Sequence, residues 1–388
     1  MVYPILLNDT SSGYSRQHLE VILQLPPERK ISQVGQPNGA IPSGAIPDGT
    51  IPSEAIPDGT ISDEGTLLHV SQWVEDDVTQ VAAQLQNSLK ILRTPTNRIK
   101  TQAQQLYGWI IRPFEQDLDV ASDRNQSPIQ TLVFVLDGPL RNLPMAVLHN
   151  GEQYLVERYA IAITPGLQLL DSQPLQRQSL NILLGGAENA PSFSAVGLGA
   201  LNNVGRELNG ISTTVPTSQT LMDQTFLKTN IQQNLETTPY NVVHLATHGN
   251  FSSDPEQTFI LDWQQPISAQ EMDRMLNVSD PQRAIEHPIE LLVLSACETA
   301  SGDSRAALGL AGIAIRAGAR STLATLWQVN DASTTEFMVR FYQELTNPNT
   351  TKADALRKVQ LSFLNDNHRT RHHRPNRWAP FTLVGSWL

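Results

Sequence analysis

Two apolar rhythms alternate along the chain, and each predicts a different element. "LEVILQL" (19–25) and "TLLHVSQWV" (66–74) read as a strand pair able to form a hairpin. "VEDDVTQVAAQLQNSLKIL" (74–92) and "NRIKTQAQQLYGWIIRPFEQDL" (97–118) place apolar residues three and four apart, as amphipathic helices do. "TLVFVLDG" (131–138) follows as a short run of branched and aromatic residues ended by a Gly-Pro turn, the mark of a buried strand.

From Leu180 onward the alternation becomes regular. "LNILLGGA", "NVVHLATHG", "IELLVLSA", "STLATLWQV" and the closing "WAPFTLVGSWL" are continuous apolar runs that predict strands. Between them, residues 200–211, 223–235, 268–276, 305–319, 332–346 and 352–364 predict helices. Buried strands alternating with helices imply an α/β fold with a mostly parallel sheet covered on both faces. Sites in such sheets lie beyond the carboxyl ends of the strands.

One segment obeys neither rhythm. Between Ala40 and Glu64 the chain repeats every five residues: "AIPSG", "AIPDG", "TIPSE", "AIPDG", "TISDE". Proline removes backbone donors, and one Ile per unit offers little apolar surface against the entropy of ordering. Residues 36–64 therefore read as a flexible insert in the hairpin; so few short units could not bury a solenoid core.

Composition adds bounds. With 388 residues, 40% of them hydrophobic, the chain is long enough for two core-bearing units, because one core rarely exceeds about 250–300 residues. A net charge of −11 argues against a nucleic-acid partner, whose phosphates call for basic patches. The exception is "HRTRHHRPNR" (368–377), read as a short exposed loop or an anion site. No segment reaches the roughly 20 apolar residues of a membrane span. The apolar run near Met1 is too short for a signal-peptide core, and a single cysteine permits no intramolecular disulfide, so a cytoplasmic setting is expected.

That cysteine, Cys297, follows one predicted strand, and His248-Gly249 follows another. If the two strands are parallel neighbours, both side chains emerge at one sheet edge, where an imidazole can take the thiol proton and later deliver it to a leaving amine. The backbone N–H groups of Gly249 and Cys297 are candidate oxyanion donors, and glycine after the histidine leaves room for a substrate carbonyl. His244 makes an H-x-x-x-H pair with His248, but zinc binding by that spacing needs a helix and the usual glutamate, and "NVVHLATHG" has neither; no metal is expected, and His244 should face sheet packing or a neighbouring strand. The glycine pair in "LLGGAENA" (183–190) lacks a nucleotide-binding pattern. Histidine precedes cysteine by 49 residues, close to the spacing in caspases.

The ordered stretches "LVFVLDGPLRNLPMAVLHNG", "YLVERYAIAITPGLQLL", "VVHLATHGNF", "LLVLSACETASGD", "LGLAGIAIRAGARSTLATLWQVND" and "WAPFTLVGSWL" resemble the CHAT family, bacterial relatives of caspases and separases. The resemblance implies a caspase-like, mostly parallel sheet flanked by helices at residues 179–388. It also implies a preceding pseudo-protease-like α/β subdomain at residues 1–178, without a catalytic pair. It further implies a cysteine endopeptidase acting on a protein substrate, with Cys297 as nucleophile and His248 as general acid/base, needing no cofactor. A regulatory protein partner in trans and a role in bacterial signalling or defence follow from the same likeness. "LWQVNDAST" resembles the separase segment that lends an acidic residue to the S1 pocket, which would make Asp331 the site for a basic P1 residue; Asp331 is equally placed to cap the helix that follows. Ser295 stands where Arg-specific members of the clan carry Asp, a departure that weakens the basic-P1 reading. The alternative from another class is a catalytically silent interaction module of the same fold.

Overall fold

The computed structural model describes residues 1–9, 16–26, 66–74, 77–124, 128–165, 175, 180–252, 254–276, 288–295, 319–327, 329, 331–366 and 372–388. The pentapeptide repeat, residues 305–318 of the helix predicted at 305–319, and Cys297 lie outside these residues.

Fourteen described strands form the frame. They are β1 (Val2–Asp9), β2 (Arg16–Gln24), β3 (Leu67–Val74), β4 (Thr131–Phe134), β5 (Ala160–Ile163), β6 (Ile182–Gly186), β7 (Gln219–Met222), β8 (Val242–Ala246), β9 (Gly249–Asn250), β10 (Phe259–Leu261), β11 (Pro266–Ser268), β12 (Leu291–Ser295), β13 (Ser321–Thr325) and β14 (Phe381–Gly385). An 11-stranded sheet runs β3-β2-β1-β4-β5-β14-β13-β12-β8-β6-β7, and β11-β10-β9 form a second, small sheet. In the large sheet only the β1–β2, β2–β3 and β13–β14 pairs are antiparallel. The fold is therefore α/β with a mostly parallel sheet, and the predicted hairpin is present as β2–β3. Strands β6, β8, β12 and β13 are buried at every position, as a sheet covered on both faces requires.

The helices are α1 (Val78–Lys90), α2 (Thr96–Ile110), α3 (Glu115–Arg124), α4 (Leu155–Arg158), α5 (Pro191–Ala195), α6 (Val204–Thr214), α7 (Lys228–Thr237), α8 (Ala269–Leu276), α9 (Asp331–Leu345), α10 (Lys352–Leu364) and α11 (Pro375–Trp378). The glycine pair of β6 explains how they seat. A Cβ on Gly185 would stand 2.7 Å from the Phe226 ring, and one on Gly186 would stand 2.7 Å from Val204 of α6. Consecutive strand residues face opposite ways. Phe226 and α6 thus cover opposite faces of β6, and the pair is a close-packing device.

Two helices start later than their apolar spacing predicts, for local reasons. The predicted helix at 200–211 begins at Val204 because Leu201 donates to the Glu188 carbonyl (2.8 Å) and the Glu188 carboxylate accepts from the Gly205 N–H (3.0 Å), capping α6 from outside. The one predicted from Asp223 begins at Lys228. Asp223 has a φ of 49° and opens a 3-10 turn, and Asp262 of the β10–β11 turn accepts from the Lys228 N–H (3.0 Å).

β14 inserts between β5 and β13, so the last strand joins the two ends of the sheet. At its end Gly385 has a φ of 105°, and a Cβ there would lie 2.4 Å from the Arg320 carbonyl oxygen. Arg357 of α10 donates to the carbonyls of Val156 (2.8 Å) and Glu157 (2.7 Å), tying residues 200 positions apart.

A polar group sits inside this core. His244 of β8 is fully buried, with Nε2 3.0 Å from Glu207 of α6 and Nδ1 3.2 Å from the Tyr342 hydroxyl of α9. The carboxylate only accepts, so Nε2–H donates to it and Nδ1 accepts from Tyr342. Burial and the Glu207 charge push the Tyr342 hydroxyl far above its usual pKa, which keeps it a donor. His244 thus faces the helix layer rather than a neighbouring strand.

Two stability predictions follow. Glu207→Ala leaves the buried imidazole N–H without an acceptor and should cost about 2–4 kcal/mol in a urea titration at neutral pH. Glu207→Gln, which retains an amide oxygen, should lose less than half as much; equal losses would deny the hydrogen bond its role. The second concerns His149, buried edge-on to Tyr154 (4.9 Å) and accepting at Nδ1 from the Gly151 N–H (3.0 Å). Burial, helped by the Lys100 charge, lowers its pKa to about 4. A depressed histidine contributes stability that is complete above its unfolded value of about 6.5 and is lost as pH falls toward 4. Between those limits the wild type should lose on the order of 1–3 kcal/mol more than His149→Gln, read from urea midpoints at both pH values.

Candidate functional site

The site starts from a register. β8 and β12 are parallel neighbours, paired from Leu291↔Val242 to Ser295↔Ala246. Thr247 continues the contact, donating its N–H to the Ser295 carbonyl (3.3 Å) and its hydroxyl to the Leu261 carbonyl (2.7 Å). His248 stands two residues beyond Ala246. Cys297 stands two residues beyond Ser295 in the sequence, and lies outside the described residues.

His248 is 8% exposed, and its ring meets Phe193 of α5 edge-on at 4.7 Å. Its Nε2 is 2.8 Å from the Gly199 carbonyl oxygen. A carbonyl can only accept, so Nε2 carries the hydrogen, and in the neutral ring Nδ1 keeps its lone pair. Both contacts come from the segment joining β6 to α6, at the carboxyl end of β6. Glu188 fixes that segment by capping α6, and its own N–H donates to Asp223 (2.9 Å). Sequence reasoning did not find Gly199, because any residue can offer a backbone carbonyl; the only trace is the glycine-rich "VGLGA" before the helix.

Gly249 lies on β9, opposite Ile260 of β10. The Leu261 N–H donates to the His248 carbonyl (2.9 Å), which makes Gly249–Ile260 the pair that exchanges no hydrogen bonds in this antiparallel ladder. The Gly249 N–H therefore points away from β10. Asp331 is the first residue of α9, the helix that carries Tyr342.

The remaining candidates resolve into packing or internal pairs. In the basic cluster, residues 372–377 are described: His372 Nδ1 lies 2.9 Å from Asp366, His373 meets the Asp366 carbonyl, Arg374 the Leu92 carbonyl, and Arg377 the Ser333 hydroxyl at 2.9 Å. Pro375–Trp378 is helical rather than loop because proline suits the first helical position. Among the described residues, Glu336, Asp366 and His372 bring ligand atoms within 4.8 Å of one another, a geometry open to a metal ion. Arg340 already binds Glu336 (2.6 Å), and Asp366 already binds His372. A groove of about 530 Å³ between α6 and α9 is lined by Arg206, Asn209, Gly210, Thr335, Glu336 and Arg340, among others, and by none of the predicted site residues. Among the described residues, no helix is long and apolar enough to cross a membrane.

Comparison with solved structures finds distant likenesses. The Saccharomyces cerevisiae separase–securin complex matches at 11% identity and a TM-score of 0.43, covering 72% of this chain; the chain spans 17% of that one. The complex of the pro- and mature domains of Porphyromonas gingivalis RgpB matches at 9% identity and 0.43, covering 81% and 76% of the two chains. The Arg-specific cysteine proteinase gingipain R matches at 12% and 0.44, covering 80% and 75%. No curated protein matches. The CHAT domain model matches residues 100–386, most of the chain and both β8 and β12 with the residues that follow them, so this protein belongs to the CHAT domain family.

Proposed function

We propose that the chain is a cysteine endopeptidase working through Cys297 and His248. The observation that carries this reading is the His248–Gly199 contact, which fixes the tautomer a general base needs, just beyond a strand in register with the one leading to Cys297. In this mechanism His248 Nδ1 takes the Cys297 proton, and the thiolate attacks the scissile carbonyl carbon. The Gly249 and Cys297 N–H groups receive the oxyanion. The imidazolium, held by the Gly199 carbonyl, then protonates the leaving amine. Water attacks the thioester, His248 takes its proton, and the thiolate leaves as the peptide acid is released. The pair supplies nucleophile, base and acid without a metal or organic cofactor.

Residues 179–388 carry this chemistry, and residues 1–178 act as a pseudo-protease-like lobe that extends the sheet. Asp331 is proposed as the S1 residue pairing with a P1 arginine or lysine, supported by its place at the start of α9. The substrate is a protein, control by a partner protein in trans is part of the proposal, and the setting is bacterial signalling or defence in the cytoplasm.

A mixed peptide library read by mass spectrometry tests the reading. Wild type should cleave, and Cys297→Ala and His248→Ala should lose at least about 1,000-fold. Asp331→Asn should lose the preference for basic P1 while retaining cleavage. Because Cys297 is the only thiol, iodoacetamide incorporation reports it directly and should slow in His248→Ala. A wild type that neither cleaves nor reacts faster than His248→Ala would sink the peptidase reading in favour of a silent interaction module.

A further inference from the structure

The outer edge of β3 has a symmetry that its sequence alone does not announce. β3 ends the large sheet, with no further strand beside it among the described residues. The Leu25 N–H donates to the Thr66 carbonyl (2.9 Å), which sets the ladder phase between β2 and β3. Residues 66, 68, 70, 72 and 74 therefore turn their backbone groups toward β2. Leu67, His69, Ser71 and Trp73 turn theirs outward.

The side chains of these same four residues occupy the exposed face of the strand. Leu67 is 62% and Trp73 59% exposed, and the row continues through His18, whose ring lies 4.5 Å from Trp73, to Leu7, 49% exposed. Edge strands usually carry lysine, proline or a bulge against pairing. β3, "LLHVSQWV", carries none of the charged residues or proline that would do so.

Leu67 and Trp73 are equidistant from Val70. An antiparallel copy of β3 with its two-fold axis at Val70 sets Leu67 against Trp73 twice and His69 against Ser71 twice. Those pairs are the ones whose backbone groups face outward, so the phase is correct for about eight inter-chain hydrogen bonds. Shifting the register by one residue would put inward-turned groups and opposite faces together. A two-residue slip keeps the phase but leaves Leu67 or Trp73 without an opposite residue in β3, so the axis at Val70 is the register that pairs all four outward residues.

We propose that the chain pairs with a second copy of itself through β3, about a two-fold axis at Val70, to make one continuous sheet. Each Trp73 then packs on the other copy's Leu67, and no two like charges of β3 meet. A two-strand seam is a small interface, and the net charge of −11 opposes association, so the dimer should form at micromolar concentration, with a Kd of roughly 1–100 μM.

Light scattering on the full chain up to about 200 μM should show the mass rising from monomer to dimer. Trp73→Lys should hold it monomeric, and Leu67→Glu combined with Trp73→Lys should restore the dimer by opposing unlike charges. For the register, Val70→Cys in a Cys297→Ala background should form a disulfide-linked dimer on mild oxidation. Leu67→Cys in the same background should not, because the two copies of position 67 would stand about 20 Å apart. A monomer at every concentration overturns the proposal. So does equal cross-linking at 67 and 70, or a dimer indifferent to Trp73→Lys.

Discussion

The in-register parallel pairing of β8 with β12 is the constraint on which the rest depends. Hydrogen bonds between parallel strands recur evenly, so the two chains leave the sheet at matched heights. A one-residue slip would turn the residues beyond Ala246 and Ser295 to opposite faces. What holds the register is burial: every residue of both strands is covered, and His244 is bound from the helix layer by Glu207 and Tyr342. A slip would pull the imidazole from both partners and strand three buried polar groups. The core histidine thus guards the placement of the one at the edge.

The catalytic candidate is held from a second direction. Phe193 and the Gly199 carbonyl reach His248 from the β6–α6 segment, and that segment is set by the Glu188 cap and by the β6 glycines, which let Val204 and Phe226 close on the strand. The ring is therefore oriented by one connection and its backbone by another, since β10 binds the His248 carbonyl. The anchors are a ring contact and two backbone hydrogen bonds, and none of them uses Nδ1.

Much of this was legible in the sequence because it is periodic. Continuous apolar runs such as "ELLVLSA" and "NVVHLA" announced buried strands, and the two that precede Cys297 and His248-Gly249 in the sequence are parallel neighbours in the sheet. The hairpin of β2 and β3 was visible despite the residues between them. What escaped was of a different kind. The Gly199 carbonyl belongs to the backbone and leaves no residue signature. Glu207 and Tyr342 lie 37 and 98 positions from His244, and no spacing rule joins them. The late starts of α6 and α7 came from Glu188 and Asp262, capping groups supplied by distant loops.

The topology also separates two surfaces. In the strand order β3 and β8 are eight steps apart; at about 4.8 Å per step they stand roughly 40 Å from one another. The outer edge of β3 and the carboxyl end of β8 point in different directions as well, one within the sheet plane and one along the strands. Self-pairing at β3 therefore neither covers His248 nor borrows from the contacts that orient it. A substrate at the carboxyl edge would meet one site per copy, with the two sites on opposite sides of the axis at Val70. The strands between, joined across β14, link the two positions within one sheet.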